Sequence, residues 1–417
     1  MGIIYNEKAK TFTLHTQNTT YQMQIDAYGF LLHLYYGRKT DGVMDYLLTY
    51  ADRGFSGNPH DTGNDRTYSL DVLPQEFPCR LTGDFRSPVL DLVNADGSLG
   101  CDLRYQGYEI CDGKYNLKGL PAVYAAEEEA QTLIIYMKDQ VTGLQVELLY
   151  GVLPEYDVIT RSAKVINTEE DKIRLTKAQA ACIDFLHGEF DVISFYGRHA
   201  MERNMQRTSV GHGAFVIGSR RGTSSHQYNP MLILAEKETT EDAGTCYGMS
   251  FVYSGGFKAE VEKDQFGQTR MQMGLQEEQF SYPLKKGEEF VIPEVILTCS
   301  NQGLEKLSQN LQRCIRKNLC RGKYKEKVRP VLINSWEACY FDFTGEDIYH
   351  LAEQAKDLGI DMVVLDDGWF GSRNDDNSGL GDWKVNEKKL QGSLGDLISR
   401  INALGVKFGL WFEPEMV

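Results

Sequence analysis

The hydrophobic pattern of the first three-quarters of the chain is typical of short β-strands. Apolar and polar residues alternate in runs such as 11–15 and 144–150, and turn-forming residues such as Asp41-Gly42 separate the runs. Few stretches in this part show the 3.6-residue period of an amphipathic helix. Many short strands over about 300 residues favour antiparallel layers, so residues 1–300 are predicted to form one large β-sandwich domain.

The pattern changes near residue 301. Apolar residues at 304, 307, 311 and 315 recur with the period of a helix. The strongly charged segment 323–327 follows this helix and is typical of a connection. We therefore predict a helical linker over residues 301–328.

Strands and helices alternate from Arg329 onward. Thr344 is a suitable N-cap, and Gly359 and Gly405 are suitable helix ends. The pattern predicts strands at 331–334, 362–365 and 406–412, and helices at 347–358 and 394–404. Near-continuous apolar strands with short connections indicate a parallel sheet covered by helices. The predicted fold is therefore multidomain, with a β-sandwich followed by the start of a (β/α)8 barrel.

The length of this second part does not suffice for a closed barrel. A (β/α)8 barrel needs about 250 residues, whereas residues 329–417 contain only three predicted strands. Three strands alone would leave the interior-facing side chains in water and a strand edge unpaired. We therefore expect 329–417 to be the first three βα units of a barrel, and the chain to be the N-terminal portion of a longer protein. The alternative is a complete small α/β domain.

Composition and charge narrow the class of partner. The net charge of −15 argues against nucleic acid or an anionic membrane, because both require a basic surface. The sequence has no run of about 20 apolar residues, so no membrane span is predicted. The nine cysteines are scattered, and no signal peptide is visible, which indicates reduced thiols in a cytoplasmic protein. A neutral, polar small molecule fits these features, with no cofactor and no metal site predicted.

The candidate chemistry lies at the predicted strand ends of the second part. All four tryptophans are there, and an acidic residue accompanies an aromatic one after each strand: Trp336-Glu337, Asp366-Asp367-Gly368-Trp369 and Trp411-Phe412-Glu413. The carboxyl ends of parallel strands form the binding face of such sheets. Carboxylates accept strong hydrogen bonds from hydroxyl groups, and an indole ring covers the apolar face of a sugar. The pattern therefore predicts a site for a neutral sugar.

Other interpretations of these residues stay open. Trp336 and Trp411 could cap an apolar core, although Gly409 on the face of Trp411 favours an inward-pointing indole. Asp366 and Asp367 could cap the turn that follows them. With Glu413 they could also bind Mg²⁺ or Ca²⁺ in a metal-dependent enzyme. We interpret Trp369 and Trp383 as loop-packing residues.

Long motifs in both parts resemble one family. The segments 365–371, 380–383 and 408–417, together with Asn334-Ser335-Trp336-Glu337-Ala338, resemble the barrel start of the bacterial α-galactosidases (melibiases) of glycoside hydrolase family 36. Four sandwich segments fit the same family: 52–56, 83–86, 156–162 and 221–226. The resemblance covers essentially the whole chain.

This resemblance implies a retaining hydrolase that releases terminal α-galactose from melibiose, raffinose and related oligosaccharides. It also implies an N-terminal β-supersandwich, a catalytic barrel and a small C-terminal β domain. Residues matching Asp366 and Asp367 hold galactose hydroxyls in the family, and those matching Trp336 and Trp411 shape the same pocket. Residues matching Asp52 and Arg66 reach a galactose pocket, often in a neighbouring subunit of a tetramer. His199 stands where the family commonly has a tryptophan on the aglycone side.

The resemblance places no catalytic acid in this chain. Retention requires two carboxyl groups about 5 Å apart, one a nucleophile and one an acid/base. Adjacent strand residues point to opposite faces, so Asp366 and Asp367 suit ligand binding better than that facing pair. The family places its two catalytic aspartates beyond residue 417, and we therefore expect no turnover from this chain alone. The alternative function is that of a non-catalytic carbohydrate-binding protein, and action on α-N-acetylgalactosamine or transfer to another sugar also stays open.

Overall fold

The computed structural model describes residues 2–54, 57–168, 172–278 and 280–414. The chain divides into two compact units, Met1–Cys320 and Arg321–Val417. Each unit has its own apolar core.

The first unit consists mainly of antiparallel strands. In chain order these are β1 (Ile3–Asn6), β2 (Thr11–His15), β3 (Thr19–Ile25), β4 (Leu31–Arg38), β5 (Leu90–Val93), β6 (Leu103–Asp112), β7 (Gln131–Asp139), β8 (Gln145–Leu153), β9 (Val158–Ile166), β10 (Lys172–Phe185), β11 (Phe190–Arg198), β12 (Met201–Ser209), β13 (Gly213–Gly218), β14 (Tyr228–Glu236), β15 (Cys246–Phe251), β16 (Phe257–Lys263), β17 (Thr269–Leu275), β18 (Tyr282–Lys285) and β19 (Glu289–Ser300). This content is consistent with the predicted sandwich.

These strands form three sheets. The largest has the order β12-β11-β14-β15-β19-β9-β8-β7-β6, the second has the order β13-β16-β17-β10-β18 with β5 also paired to β10, and the third is the meander β1-β2-β3-β4. One apolar cluster draws side chains from all three sheets, including Phe12, Leu148 and Met271, which are fully buried. The alternating sequence pattern thus becomes sheet faces that pack on a shared core.

The helix near residue 301 belongs to the first unit. Helix α1 (Gly303–Cys314) continues into a π-helical turn at Ile315–Leu319. Its buried side chains Leu307, Leu311 and Cys314 pack in a cluster with strand residues such as Ile296. The apolar stripe that predicts a helix is therefore covered by the β-sheet. This helix, predicted within a helical linker over 301–328, lies in the first unit, and the boundary between the units falls after Cys320.

The second unit has the predicted alternation of strands and helices, with two additional four-residue helices. Its elements are β20 (Leu332–Asn334), α2 (Trp336–Cys339), α3 (Gly345–Asp357), β21 (Met362–Leu365), α4 (Glu387–Leu390), α5 (Leu394–Ala403) and β22 (Lys407–Leu410). The three strands form a parallel sheet in the order β20-β21-β22. Thr344 caps α3 as predicted, because its hydroxyl accepts a hydrogen bond from the Asp347 N–H.

The two faces of this sheet differ. Val363 and Leu365 are fully buried in the core of the unit with α3 and α5 residues such as Ala352 and Ile401. On the opposite face Leu332 is 52% exposed, and Met362 and Val364 are partly exposed. The parallel sheet is therefore covered by helices on one face, and a closed barrel stays a prediction.

A cluster of buried charges holds one loop segment of the first unit in place. Arg270 donates to both carboxylate oxygens of Asp184 at 2.7 Å each, and to Asp84 Oδ2 at 2.7 Å. Arg86 donates through Nε to Asp84 Oδ1 at 2.9 Å. All four side chains are at most 4% exposed. Because each charge has partners of opposite sign, the cluster fixes the 83–86 segment on the sheet.

Candidate functional site

The carboxyl ends of β20, β21 and β22 lie at one edge of the parallel sheet. Asn334 ends β20, Asp366 follows β21, and Trp411 follows β22. The Trp411 N–H donates to Leu365 O at 2.9 Å, and the Ser335 N–H donates to Val364 O at 3.0 Å. These bonds continue the sheet pairing beyond the strands, so the three strand ends stay adjacent.

Asp366 is the centre of a hydrogen-bonded network at this edge. Its Oδ2 accepts from Asn334 Nδ2 at 2.5 Å, and its Oδ1 accepts from the Asp367 N–H at 2.7 Å. Its own N–H donates to Ser335 Oγ at 3.1 Å. The side chain is partly exposed. The carboxylate is therefore held in one orientation while it retains acceptor positions for a ligand.

Asn334 connects Asp366 to Trp336. While its Nδ2 donates to Asp366, its Oδ1 accepts from the Trp336 N–H at 2.7 Å. The Trp336 indole is half-buried and packs edge-on against Tyr340 and Phe341, with centroid distances of 5.2 and 5.0 Å. An acid and an indole are thus fixed relative to each other through one amide side chain.

Asp367 points into the loop that follows β21. It is 6% exposed and forms an ion pair with Arg373, whose Nη2 lies 2.8 Å from Asp367 Oδ2. Lys389 donates to the Arg373 carbonyl at 3.2 Å. Burial lowers the pKa of Lys389, and the carboxylates of Asp367 and Asp342 act in the opposite direction. The two adjacent aspartates therefore have separate partners, as their alternation along an extended chain predicts.

The other tryptophans pack around the same loop. Trp369 is 2% exposed, donates through Nε1 to the Trp411 carbonyl at 3.0 Å, and stacks on Trp383 at a centroid distance of 6.2 Å. These contacts agree with the interpretation of Trp369 and Trp383 as loop-packing residues. Trp411 is half-buried, with its ring edge-on to Trp383. Glu415, Met416 and Val417, which end the 408–417 motif, lie outside the described residues.

The candidate residues of the first unit are exposed. Arg66 Nη2 lies 3.3 Å from Asp52 Oδ1, and both side chains are at least 49% exposed. Such an exposed ion pair contributes little to stability, so both groups stay available for a ligand. His199 is exposed in the turn between β11 and β12. Phe55 and Ser56 of the 52–56 segment lie outside the described residues.

The metal-dependent alternative finds no support in the geometry of the described residues. Within 2–54, 57–168, 172–278 and 280–414, no three histidine, cysteine, aspartate or glutamate side chains are arranged to hold a metal ion. Asp366, Asp367 and Glu413 are thus not grouped as such a three-residue set. In the same ranges, no helix is long and apolar enough to cross a bilayer.

Sequence reasoning missed three residues of this site, namely Asn334, Ser335 and Arg373. The polar pair Asn334-Ser335 directly follows an apolar strand, which is a signal for a group that acts at the strand end. Arg373 is the single basic residue of the acidic stretch 371–382. A lone cation among acids near a buried carboxylate is a signal for an ion pair.

Two family models together match most of the chain. The glycosyl hydrolase family 36 N-terminal domain matches residues 29–285, and the melibiase family matches residues 289–417. The bifunctional alpha-galactosidase/sucrose kinase AgaSK of Mediterraneibacter gnavus is 63% identical over the whole chain, which covers 45% of that relative. Alpha-galactosidase Mel36A of Lactobacillus acidophilus is 44% identical over the whole chain, which covers 57% of it. The chain thus spans about half the length of the curated relatives it matches.

Solved structures give the same assignment. The galactosidase domain of AgaSK superposes with a TM-score of 0.97 over 99% of this chain and 57% of that one, at 63% identity. A variant of the family 36 α-galactosidase AgaA from Geobacillus stearothermophilus, in complex with raffinose, has a TM-score of 0.95 at 44% identity over 98% of this chain and 57% of that one. The family models, the relatives and the folds agree, and the chain belongs to glycosyl hydrolase family 36.

Proposed function

We propose that this chain is the N-terminal part of a retaining α-galactosidase that releases terminal α-galactose from melibiose- and raffinose-type oligosaccharides. The observation that carries the proposal is the strand-end network in which Asn334 joins the Asp366 carboxylate to Trp336. The relatives named as alpha-galactosidases, at 44–63% identity over the whole chain, support it.

The residues at this edge suit a neutral sugar. Galactose presents hydroxyl groups, which donate to the Asp366 and Asp367 carboxylates in charge-assisted hydrogen bonds. The half-buried indoles of Trp336 and Trp411 offer flat apolar surfaces for the C–H face of the ring. The net charge of −15 is compatible with an uncharged substrate, because a neutral molecule is not repelled by a negative surface.

The proposal includes residues that this chain does not contain. Residues 329–417 would supply the first three βα units of a (β/α)8 barrel, preceded by a β-supersandwich. The nucleophile and the acid/base, two aspartates about 5 Å apart, would lie on later strands of that barrel. This chain would therefore bind and orient the galactosyl group, and the later strands would cleave its bond.

The proposal also covers the assembly. Asp52 and Arg66 would reach the galactose pocket of a neighbouring subunit in a cytoplasmic homotetramer, and His199 would contact the substrate on the aglycone side. Their exposure supports this, because loop side chains that complete another subunit's site must be free in the isolated subunit.

Galactose release tests the function. The full-length protein should release galactose from raffinose and melibiose, measured with a coupled galactose dehydrogenase assay. The 417-residue chain alone should release none, because it lacks both catalytic acids. Raffinose binding without galactose release by the full-length protein would favour the non-catalytic carbohydrate-binding alternative, and turnover by the 417-residue chain would contradict the placement of the catalytic acids.

A further inference from the structure

We infer that Arg373 is the positioning residue that orients Asp367 for galactose binding, an inference that rests on the proposed function. Arg373 Nε lies 3.1 Å from each carboxylate oxygen of Asp367, and Nη2 lies 2.8 Å from Oδ2. The two residues are only 5% and 6% exposed. A guanidinium that contacts both oxygens fixes the carboxylate plane as well as its charge.

The surrounding loop fixes Arg373 itself. Its Nη1 donates to Ser378 O at 3.1 Å, and its N–H donates to Phe370 O at 3.2 Å. The guanidinium carbon lies 5.3 Å from the centre of the Phe341 ring, and Lys389 donates to the Arg373 carbonyl. These contacts on several sides hold the Arg373 guanidinium in one orientation relative to Asp367.

The backbone conformation of the turn after Asp367 is also restricted. Gly368 has φ +96°, and a Cβ at this position would lie 3.1 Å from both Lys389 Nζ and a Phe341 ring carbon. The backbone beyond Asp367 therefore requires glycine and closely approaches the Arg373 loop. The direction of the Asp367 side chain is thus set by the loop as well as by its partner.

This arrangement gives Asp367 a role in binding beyond stability. A buried carboxylate is costly without a compensating cation, and Arg373 supplies that cation to Asp367. A carboxylate has about four acceptor positions, and the Arg373 fork does not use all of them. The remaining position, at a fixed angle, is where a sugar hydroxyl would donate. Loss of Arg373 should therefore weaken recognition of that one hydroxyl.

The test uses the full-length protein and a series of monodeoxy aryl α-galactosides. We expect Asp367→Asn to lower kcat/KM for the parent substrate about tenfold to a hundredfold. In wild type, one deoxy substrate should have a lower kcat/KM than the parent because it lacks the hydroxyl that Asp367 binds, and in Asp367→Asn this difference should disappear. Arg373→Gln should lower kcat/KM by a similar factor and remove the penalty for the same hydroxyl. The double variant should be no worse than Asp367→Asn, since the two residues act as a unit.

Two further variants separate positioning from folding. Arg373→Lys keeps the charge but lacks the planar fork that fixes the carboxylate plane, so its kcat/KM should fall between those of wild type and Arg373→Gln, with the same hydroxyl affected. It carries the test if Arg373→Gln does not fold. Arg400→Gln is the matched control, because Arg400 forms a two-pronged ion pair with Glu346 at 2.5 and 2.9 Å on an exposed surface. It should leave kcat/KM unchanged.

The outcomes are distinct. Equal losses of kcat/KM for every deoxy substrate, together with additive effects in the double variant, would overturn the positioning role. A wild-type protein without α-galactosidase activity would instead overturn the proposed function, and with it this inference. Loss of one shared hydroxyl preference in both single variants would support the inference.

Discussion

Replacing Asp184 with asparagine should lower the free energy of unfolding of the chain by about 3–5 kcal/mol, measured by urea denaturation. The side chain is 2% exposed and accepts two hydrogen bonds from Arg270 and one from the Gln75 N–H at 2.9 Å. An asparagine would place an NH₂ group against a guanidinium and leave Arg270 with less compensation for its buried charge. Both effects destabilise the folded state.

The exposed pair Arg220–Glu278 supplies the control for Asp184→Asn. Its side chains are 72% and 54% exposed, so Glu278→Gln should change the free energy of unfolding by at most about 1 kcal/mol. An Asp184→Asn effect as small as that of Glu278→Gln would contradict the account of the buried cluster.

The pH dependence of the Asp184 effect has a definite sign. Burial alone would raise the pKa of Asp184, but the Arg270 and Arg86 guanidinium groups outweigh it and lower the pKa to about 2. A carboxylate whose pKa is lower in the folded state stabilises that state at pH values above its ordinary, unfolded-state pKa. This stabilisation is lost as the pH falls through the folded-state pKa. The stability gap between wild type and Asp184→Asn should therefore shrink by about 2 kcal/mol from pH 4 to pH 2. A constant gap would exclude this ionisation.

Replacing Asp366 with asparagine should lower kcat/KM of the full-length protein for an aryl α-galactoside by at least about a hundredfold. The variant removes the charge that would accept a galactose hydroxyl. It also places an NH₂ group against either Asn334 Nδ2 or the Asp367 N–H, which disrupts the link to Trp336. The site would lose both its charge and its geometry.

Asp357→Asn is the matched control for this substitution. Asp357 is exposed at the C-terminus of α3, where a carboxylate opposes the helix dipole. Its replacement should leave kcat/KM unchanged and stability equal or slightly higher. Suppose that Asp366→Asn folds, with a melting temperature close to that of wild type, and that its kcat/KM falls only two- or threefold. That result would show that Asp366 does not bind the substrate.

Local sequence patterns were sufficient for the second unit. Near-continuous apolar strands and the Thr344 cap are decided by residues close in the chain, and the structure has the three strands and the two longer helices that they predict. The apolar period also predicts the helix at 303–314, which lies in the first unit. An apolar stripe shows that a helix is covered on one side, but it does not show which element covers it.

The candidate site was predictable in place but not in detail. Asp366 and Asp367 directly follow an apolar strand, so the sequence predicts their position at the sheet edge. Because adjacent side chains of an extended chain alternate in direction, the sequence also predicts that the two carboxylates point to different sides. The partner of Asp367 does not, because Arg373 reaches it through a loop whose path depends on Gly368 and on packing with Phe341. Such contacts depend on the tertiary fold rather than on spacing.

The most direct measurement is a crystal structure of the full-length protein with raffinose bound to a variant that cannot cleave it. The account predicts galactosyl hydroxyl oxygens within about 3.2 Å of the carboxylates of both Asp366 and Asp367, with an indole against the sugar ring. A galactosyl group that contacts neither carboxylate would contradict it.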